Sequence, residues 1–425
     1  MGLLVLLLVA VGYAAFSQRL DRLWISAPMV FVAAGLLIGP EGADLLHVEG
    51  GSETVLTFTE LTLATLLFAD ATTVPLRSVK SDAGVPGRLL SVGLLLTLVL
   101  GTVVAMLIVP GLTWAEAALI AALLAPTDAA LGMAVVTDKA VPVRIRRALN
   151  IESGLNDGIA TPFVTVFLAV VVGEVANEGG SPVLDAVAQI AIALVVAVVI
   201  GAIGGRVLVW STHRGWSTHT TRQLYVLALA FLAYEGAVEV GGNGFVSAFV
   251  AGLVFGAVDE GNRKAISFTE DVAMFASLLV WTVFGAFFVG PVFAGGFAWS
   301  SVVYAVLSLT LIRMAPVAVA LMGKGFRPMT TGFMGWFGPR GLASVVFTLI
   351  AVEDLKGTTV DAPVVEVATW TILLSVLLHG LTARPLAAAY GARIRAGGDE
   401  QQELVETPEP HVRRHLQRAS AGGPN

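Results

Sequence analysis

Apolar runs long enough to cross a bilayer, each closed by charged or turn-forming residues, recur along almost the whole of this 425-residue chain. They fall at about 2–16, 24–39, 55–74, 87–109, 114–136, 149–172, 184–210, 224–238, 244–258, 271–290, 298–322, 330–352 and 363–390. Roughly 17–25 residues of helix match the hydrocarbon thickness of a membrane. The pattern therefore predicts an all-α polytopic membrane protein with about 13 transmembrane helices. Residues 1–395 form that transmembrane domain. Residues 396–425 are polar and read as a short, disordered cytoplasmic tail.

Composition agrees with this class. The chain is 56% hydrophobic and 13% charged, where soluble domains carry about 25% charged residues. A net charge of −6 leaves no basic surface for nucleic acid, and the absence of cysteine excludes disulfides and thiolate sites. Lys and Arg follow every odd-numbered run: Arg19 and Arg22, then Arg77, Lys80 and Arg88, then Lys139, Arg144, Arg146 and Arg147, and so on to Arg393 and Arg395. Acidic or neutral loops, such as Glu41 to Glu53, follow the even ones. The positive-inside rule then puts the N-terminus outside and the C-terminus in the cytoplasm. The small residues Ala14-Ala15 would suit a signal-peptide cleavage site. There is no basic n-region, however, and the loop alternation favours a retained first helix.

Five ionisable residues fall near the middle of such runs: Asp128, Glu152, Asp157, Arg313 and Arg340. Asp70 and Glu60, in the third run, are left unassigned. Any one of the five could be a structural salt bridge or a group of misjudged depth. Unpaired, the five together would cost on the order of 12–18 kcal/mol, so they are expected to converge. Ser153 and Asp157, four apart, share one helix face. Glu152 and Asn156 form a second stripe about 100° away. The Asp157 stripe can line a cavity while the Glu152 stripe faces a neighbouring helix, which suggests a structural Glu152–Arg313 pair.

Two runs contain helix breakers at their centres: Ala125-Pro126-Thr127-Asp128, and Gly335 to Gly341 with Pro339 and Arg340. Proline removes a backbone donor and clashes with the preceding turn. Either break alone could be a simple kink. One in each half of the chain points to a transporter with two inverted repeats, two crossed broken helices and a midplane site. Asp128 and Arg340 have the signs needed to compensate the exposed helix ends. Asp128, Glu152 and Asp157 sum to −3, and Arg313 and Arg340 to +2. The residual −1 leaves room for one proton or one monovalent cation, with Asp157 the carboxylate that has no arginine in this scheme.

Glu152-Ser153-x-x-Asn156-Asp157 resembles the ESxxND signature of the NhaP/NHE branch of monovalent cation:proton antiporters, the sodium/proton exchangers. Thr127-Asp128 is similar to that family's TD motif on the preceding broken helix. Leu67-Phe68-x-Asp70, Gly35 to Pro40, Phe249-Val250-Ala251-Gly252, Gly338-Pro339-Arg340-Gly341 and His379-Gly380 stand in the family's order over about residues 1–390. The resemblance implies an NhaA-like fold, a homodimer and elevator-like alternating access. It implies that Asp157 is the ion- and proton-binding carboxylate, supported by Thr127, Asp128, Ser153 and Asn156, with Glu152 and Arg313 as the buried pair. Asn156 stands where electrogenic relatives have a second aspartate, which implies electroneutral one-for-one exchange. Gly154 and Gly158, as flexible neighbours of the site, and Pro339, in place of an apolar residue, depart from the pattern.

The expected activity is exchange of Na⁺ (or Li⁺) for H⁺ across the cell membrane, with no enzymatic reaction and no cofactor besides the transported ions. Asp157 would release a proton and take a desolvated cation with oxygens from Asp128, Thr127 and Ser153, as hard cations prefer. The bare carboxylate is costly to move through an apolar interior, which blocks leak. A K⁺/H⁺ antiporter of the same superfamily is the main alternative. An intramembrane aspartyl protease using Asp128 and Asp157 would give the two arginines and the second break no role. A channel would lack proton coupling.

Overall fold

The computed structural model of the protein describes residues 2–46, 52–74, 84–128, 130–176, 181–258, 263–296, 298–356, 361–397 and 402–405. Glu49, Arg77, Lys80 and most of the expected tail lie outside the described residues. Within them the secondary structure is helical, with no β-strand.

In chain order the helices are α1 (Gly2–Arg22), α2 (Ala27–Ile38), α3 (Glu53–Thr73) and α4 (Pro86–Ile108, with a π turn at Leu89–Gly93). Then come α5 (Trp114–Leu123), α6 (Met133–Val136), α7 (Val143–Ala176), α8 (Pro182–His213), α9 (His219–Val238), α10 (Gly244–Val258) and α11 (Arg263–Phe284). A π turn at Gly285–Val289 carries α11 on to Ala294. The remainder are α12 (Trp299–Leu309), α13 (Leu311–Leu321), α14 (Pro328–Trp336), α15 (Leu342–Asp354) and α16 (Asp361–Ala396), followed by a 3-10 turn at Gln402–Leu404.

Eight helical stretches among the described residues are long and apolar enough to cross a membrane, and three more apolar helices are shorter (Ala27–Ile38, Trp114–Leu123 and Gly244–Val258). The difference from about 13 arises at four runs whose helices are short or interrupted and at α9, a continuous 20-residue helix whose Arg222, Gln223 and Glu235 leave it less apolar. The runs at 114–136 and 330–352 each split into two pieces below spanning length. The first run, expected to be short, is a 21-residue helix. Local chemistry sets several starts. Thr113 and Glu116 form a capping box at α5, and proline occupies the first turn of α2, α8 and α14, where its missing N–H costs nothing.

The chain divides into two compact units, 1–56 with 85–153 and 278–425, and 57–84 with 154–277. The division falls within α7, after Ser153. In the first unit, Val85, Leu89, Val135, Ile145, Val317, Phe337 and Ala387 belong to one core cluster. There Phe333 stacks on Tyr390 at 4.1 Å. The 3-10 turn docks on this unit. Glu403 accepts hydrogen bonds from Thr330 Oγ1 (2.7 Å) and the Arg327 N–H (3.1 Å) at the start of α14, and Arg144 Nη1 donates to the Gln402 carbonyl. These are residues of the expected tail, and they form a packed turn.

In the second unit, Phe68, Ala197, Leu208, Leu229, Ala233, Ala251, Phe255 and Ile266 form the core. Helix α8 buries Ala186, Ala193, Ala197, Gly201, Gly204, Gly205 and Leu208. It exposes Leu184, Leu194, Val195, Val199 and Ile203. Small residues inward and branched apolar residues outward is the arrangement expected where lipid, not water, covers the outside.

Candidate functional site

The two interrupted helices meet at their breaks within the first unit. α5 stops at Leu123, and residues 125–128 run non-helically up to Asp128. α14 stops at Trp336, and residues 337–341 separate it from α15. Each break ends up capped by the other. The Asp128 N–H donates to the Pro339 carbonyl (2.8 Å). Asp128 Oδ2 accepts the N–H of Leu342, the first residue of α15 (3.0 Å). Its Oδ1 accepts the N–H groups of Ala130 (2.6 Å) and Leu131 (3.2 Å). In the other direction, Arg340 Nη1 donates to the carbonyls of Ala125 (2.9 Å) and Pro126 (3.5 Å), just beyond the end of α5. A carboxylate therefore faces a positive helix start and a guanidinium faces a negative helix end. Both side chains are buried.

Two glycines permit this approach. A Cβ at Gly341 would collide with the Asp128 side chain, and one at Gly338 would collide with the Arg313 guanidinium. Arg313, on α13, makes an ion pair with Glu152 of α7 (Nη1–Oε1 2.5 Å), both groups buried. Thr127 Oγ1 and Ser153 Oγ lie 3.3 Å apart, which ties the first break to α7. Asp128, Arg340, Pro126, Pro339, Glu152, Arg313, Thr127 and Ser153 are thus gathered in one unit.

Asn156 and Asp157 follow on α7 in the second unit, and both are buried. The Asp157 carbonyl accepts the Thr161 hydroxyl (2.9 Å). A Cβ at Gly158 would strike the Phe249 ring. Its absence of a side chain serves packing there, a more specific role than the flexibility its sequence suggests. Gly154 has open space around its Cα. Glu60 of α3 hydrogen-bonds Tyr234 of α9. Among the described residues no group of three or more His, Cys, Asp and Glu side chains gathers as a metal site.

Sequence reasoning assigned no role to Ser375, His379 and Thr382 of α16. Ser375 Oγ accepts the Arg340 N–H (2.6 Å). His379 Nε2 lies 2.8 Å from the Trp336 carbonyl. Thr382 Oγ1 accepts the indole N–H of Trp336 (3.0 Å). Their spacing of four and three residues, a polar stripe on an apolar helix, was the available signal.

The comparisons with known proteins bear on this geometry. The family model described as "Sodium/hydrogen exchanger, transmembrane" matches residues 4–389. The chain belongs to the sodium/hydrogen exchanger family. A K(+)/H(+) antiporter NhaP2 of Shewanella sp. (strain MR-4) is 23% identical over 386 residues, covering 88% of this chain and 64% of that protein. A probable Na(+)/H(+) antiporter of Schizosaccharomyces pombe is 25% identical over 370 residues, covering 81% and 48%. This exchanger-family chain therefore spans less than two thirds of the length of those curated relatives. The sodium proton antiporter MjNhaP1 from Methanocaldococcus jannaschii, solved at pH 8, superposes with a TM-score of 0.74. It is 20% identical and the match covers 91% of this chain and 98% of that one. That likeness gives the chain the NhaP1 antiporter fold.

Proposed function

We propose that this protein is a secondary antiporter exchanging Na⁺ or Li⁺ for H⁺, one for one, by alternating access. The observation that carries the reading is the pair of breaks capped by Asp128 and Arg340. Such a device serves a chain that needs non-helical backbone at membrane depth. Asp157 is the carboxylate that takes proton and cation in turn, one helical turn after Ser153 on α7. Asp128, Thr127, Ser153 and Asn156 are its supporting groups, while Glu152 and Arg313 are structural. Bound proton or bound cation neutralises the carboxylate, and the bare charge is too costly to carry across. The loop charges support a multi-pass arrangement in the cell membrane with the N-terminus outside and the C-terminus in the cytoplasm. Family resemblance supports a homodimer.

K⁺ in place of Na⁺ is the second reading, and the names of the Shewanella relatives favour it. The test is ion-driven pH change in proteoliposomes loaded with a pH dye, with Na⁺, Li⁺ and K⁺ added separately to wild type and Asp157→Asn. Cation-driven proton movement in wild type alone supports the antiporter and names its ion. No response to any cation removes the transport reading. Equal transport by the variant removes Asp157 from its role.

A further inference from the structure

In an unbroken helix the Arg340 N–H would bond to the Trp336 carbonyl, four residues back. The break at 337–341 removes that bond, and at membrane depth an unserved donor or acceptor costs several kcal/mol. The structure shows where the two groups go. The Arg340 N–H donates to Ser375 Oγ (2.6 Å). Ser375 Oγ lies 3.2 Å from His379 Nδ1. His379 Nε2 lies 2.8 Å from the Trp336 carbonyl. The three residues that carry this path, Arg340 through its backbone N–H and Ser375 and His379 through their side chains, are buried. Trp336 also receives the Gly338 N–H on the same carbonyl (2.9 Å).

These atoms fix the donors at the Arg340 amide and at His379 Nε2, and the charge of the ring decides Nδ1, which lies 3.2 Å from Ser375 Oγ and 3.0 Å from the Ser375 carbonyl. A carbonyl only accepts, so Nε2 of His379 carries a hydrogen. An amide only donates, so Ser375 Oγ accepts from Arg340 and has its own hydrogen left to give. Nδ1 of a neutral Nε2–H imidazole is an acceptor. In that form it takes the hydroxyl's hydrogen, and the nearby Ser375 carbonyl, which can only accept, is a contact without a hydrogen between; a ring protonated at Nδ1 would donate to that carbonyl instead. A second proton on the ring would put another cation at depth, close to the Arg340 and Arg313 charges.

We infer that Ser375 and His379 are positioning residues that replace the missing helical hydrogen bond with a relay, Arg340 N–H to Ser375 Oγ–H to His379 Nδ1 and His379 Nε2–H to Trp336 O. Thr382, one turn further along α16, holds the same Trp336 through its indole N–H. The relay spans the break from one side to the other and sets its width. Because Arg340 and Leu342 flank its far end, it sets where the guanidinium meets Ala125 and where Leu342 meets Asp128. It acts on cation binding through Asp128 and touches no ion itself.

The functional half of this inference rests on the exchange reading, so the test has two independent arms. The first is ¹⁵N NMR of histidine-labelled protein in lipid nanodiscs, assigned with His379→Gln. The expected spectrum for His379 is that of the neutral Nε2–H tautomer, and Ser375→Ala should move the Nδ1 resonance. A neutral Nδ1–H tautomer, an imidazolium, or an Nδ1 unmoved by Ser375→Ala overturns the relay whether or not the protein transports. The second arm measures cation-driven proton movement. Ser375→Ala and His379→Leu should raise the apparent KM for the cation about tenfold, the scale of one buried hydrogen bond lost. The maximal rate should stay within about twofold, and Ser375→Thr, which keeps the hydroxyl, should retain nearly the wild-type KM. Ser375→Ala with a wild-type KM, or Ser375→Thr as impaired as Ser375→Ala, overturns the positioning role. Wild type that transports no cation refutes the exchange reading and leaves the spectroscopic arm to decide the relay.

Discussion

Asp128→Asn is nearly isosteric and tests whether the carboxylate holds the start of α15. Asp128 accepts the N–H groups of Ala130 and Leu131 on Oδ1 and that of Leu342 on Oδ2. An asparagine has one acceptor oxygen. Its better orientation keeps the two bonds of Oδ1 and turns its NH₂ toward the Leu342 N–H, donor against donor. The lost bond to a charged acceptor is worth about 1.5–3 kcal/mol. Removing a negative charge from the first turn of a helix costs about 0.3–1 kcal/mol more. The two together come to about 2–4 kcal/mol, concentrated at Gly341 to Val345. Hydrogen exchange read by mass spectrometry in detergent should show this segment exchanging about 30- to 700-fold faster. The helix Gly244–Val258, in the other unit, should be unchanged. A change of less than about twofold at the start of α15 would refute the capping argument.

Glu152→Gln leaves the Arg313 guanidinium buried without its carboxylate, a loss of about 3–5 kcal/mol. The apparent melting temperature by tryptophan fluorescence should fall, and adding Arg313→Leu should recover part of it; a single variant as stable as wild type contradicts the pair. Gly338→Ala and Gly341→Ala drive a methyl into Arg313 and Asp128 respectively, where overpacking costs about 1–3 kcal/mol or more. Both should lose monodisperse protein on size exclusion, whereas Gly332→Ala, which meets open space, should not. Glu403 gives a pH prediction. Burial pushes its carboxyl up, but hydrogen bonds from Thr330 and the Arg327 N–H and the Arg327 charge outweigh this and hold it below its ordinary value. A carboxyl depressed in the folded state stabilises docking above its unfolded value and loses that as pH falls through the depressed one. The hydrogen-exchange protection of residues 402–405, measured against the intrinsic rate at each pH, should therefore be high near neutrality and fall in acid, and Glu403→Gln should be poorly protected at both; wild-type protection that does not change with pH counts against the docked turn.

The interruptions were legible where proline stands beside a charged residue at the centre of a run, Pro126 by Asp128 and Pro339 by Arg340, whereas Pro162, Pro316 and Pro385 lie inside continuous helices. Helix lengths were less so. The run at 2–16 is part of a helix that continues through Arg19 to Arg22, since a helix does not stop where its apolar stretch does. Among the site residues, charge sign pointed to Asp128 and Arg340 as caps, and the structure sets each against the other helix. Which hydrogen bond goes where was not legible. Ser375 lies 35 residues beyond Arg340 in sequence, and no local rule connects a hydroxyl on one helix with an amide inside another's break. Gly158 misled for the same reason: its partner, Phe249, is set by packing of distant segments.

The charges at the breaks also narrow the choice of exchange carboxylate. In the first unit Asp128 and Glu152 contribute −2, and Arg313 and Arg340 contribute +2, so this cluster sums to zero. Each of its carboxylates already holds something up. Protonating Asp128 would weaken its bonds to Leu342, Ala130 and Leu131, and protonating Glu152 would strand Arg313. Removing either carboxylate's charge therefore loosens a helix end or a buried ion pair. A carboxylate that changes its proton without undoing the scaffold has to stand outside that balance. The carboxylate we propose for that role, Asp157, is neither of these two and lies one turn beyond Ser153 on the helix that carries Glu152. This scaffolding load on Asp128 and Glu152 is the reason the proposed function gives proton exchange to Asp157 and keeps Asp128 as a supporting group.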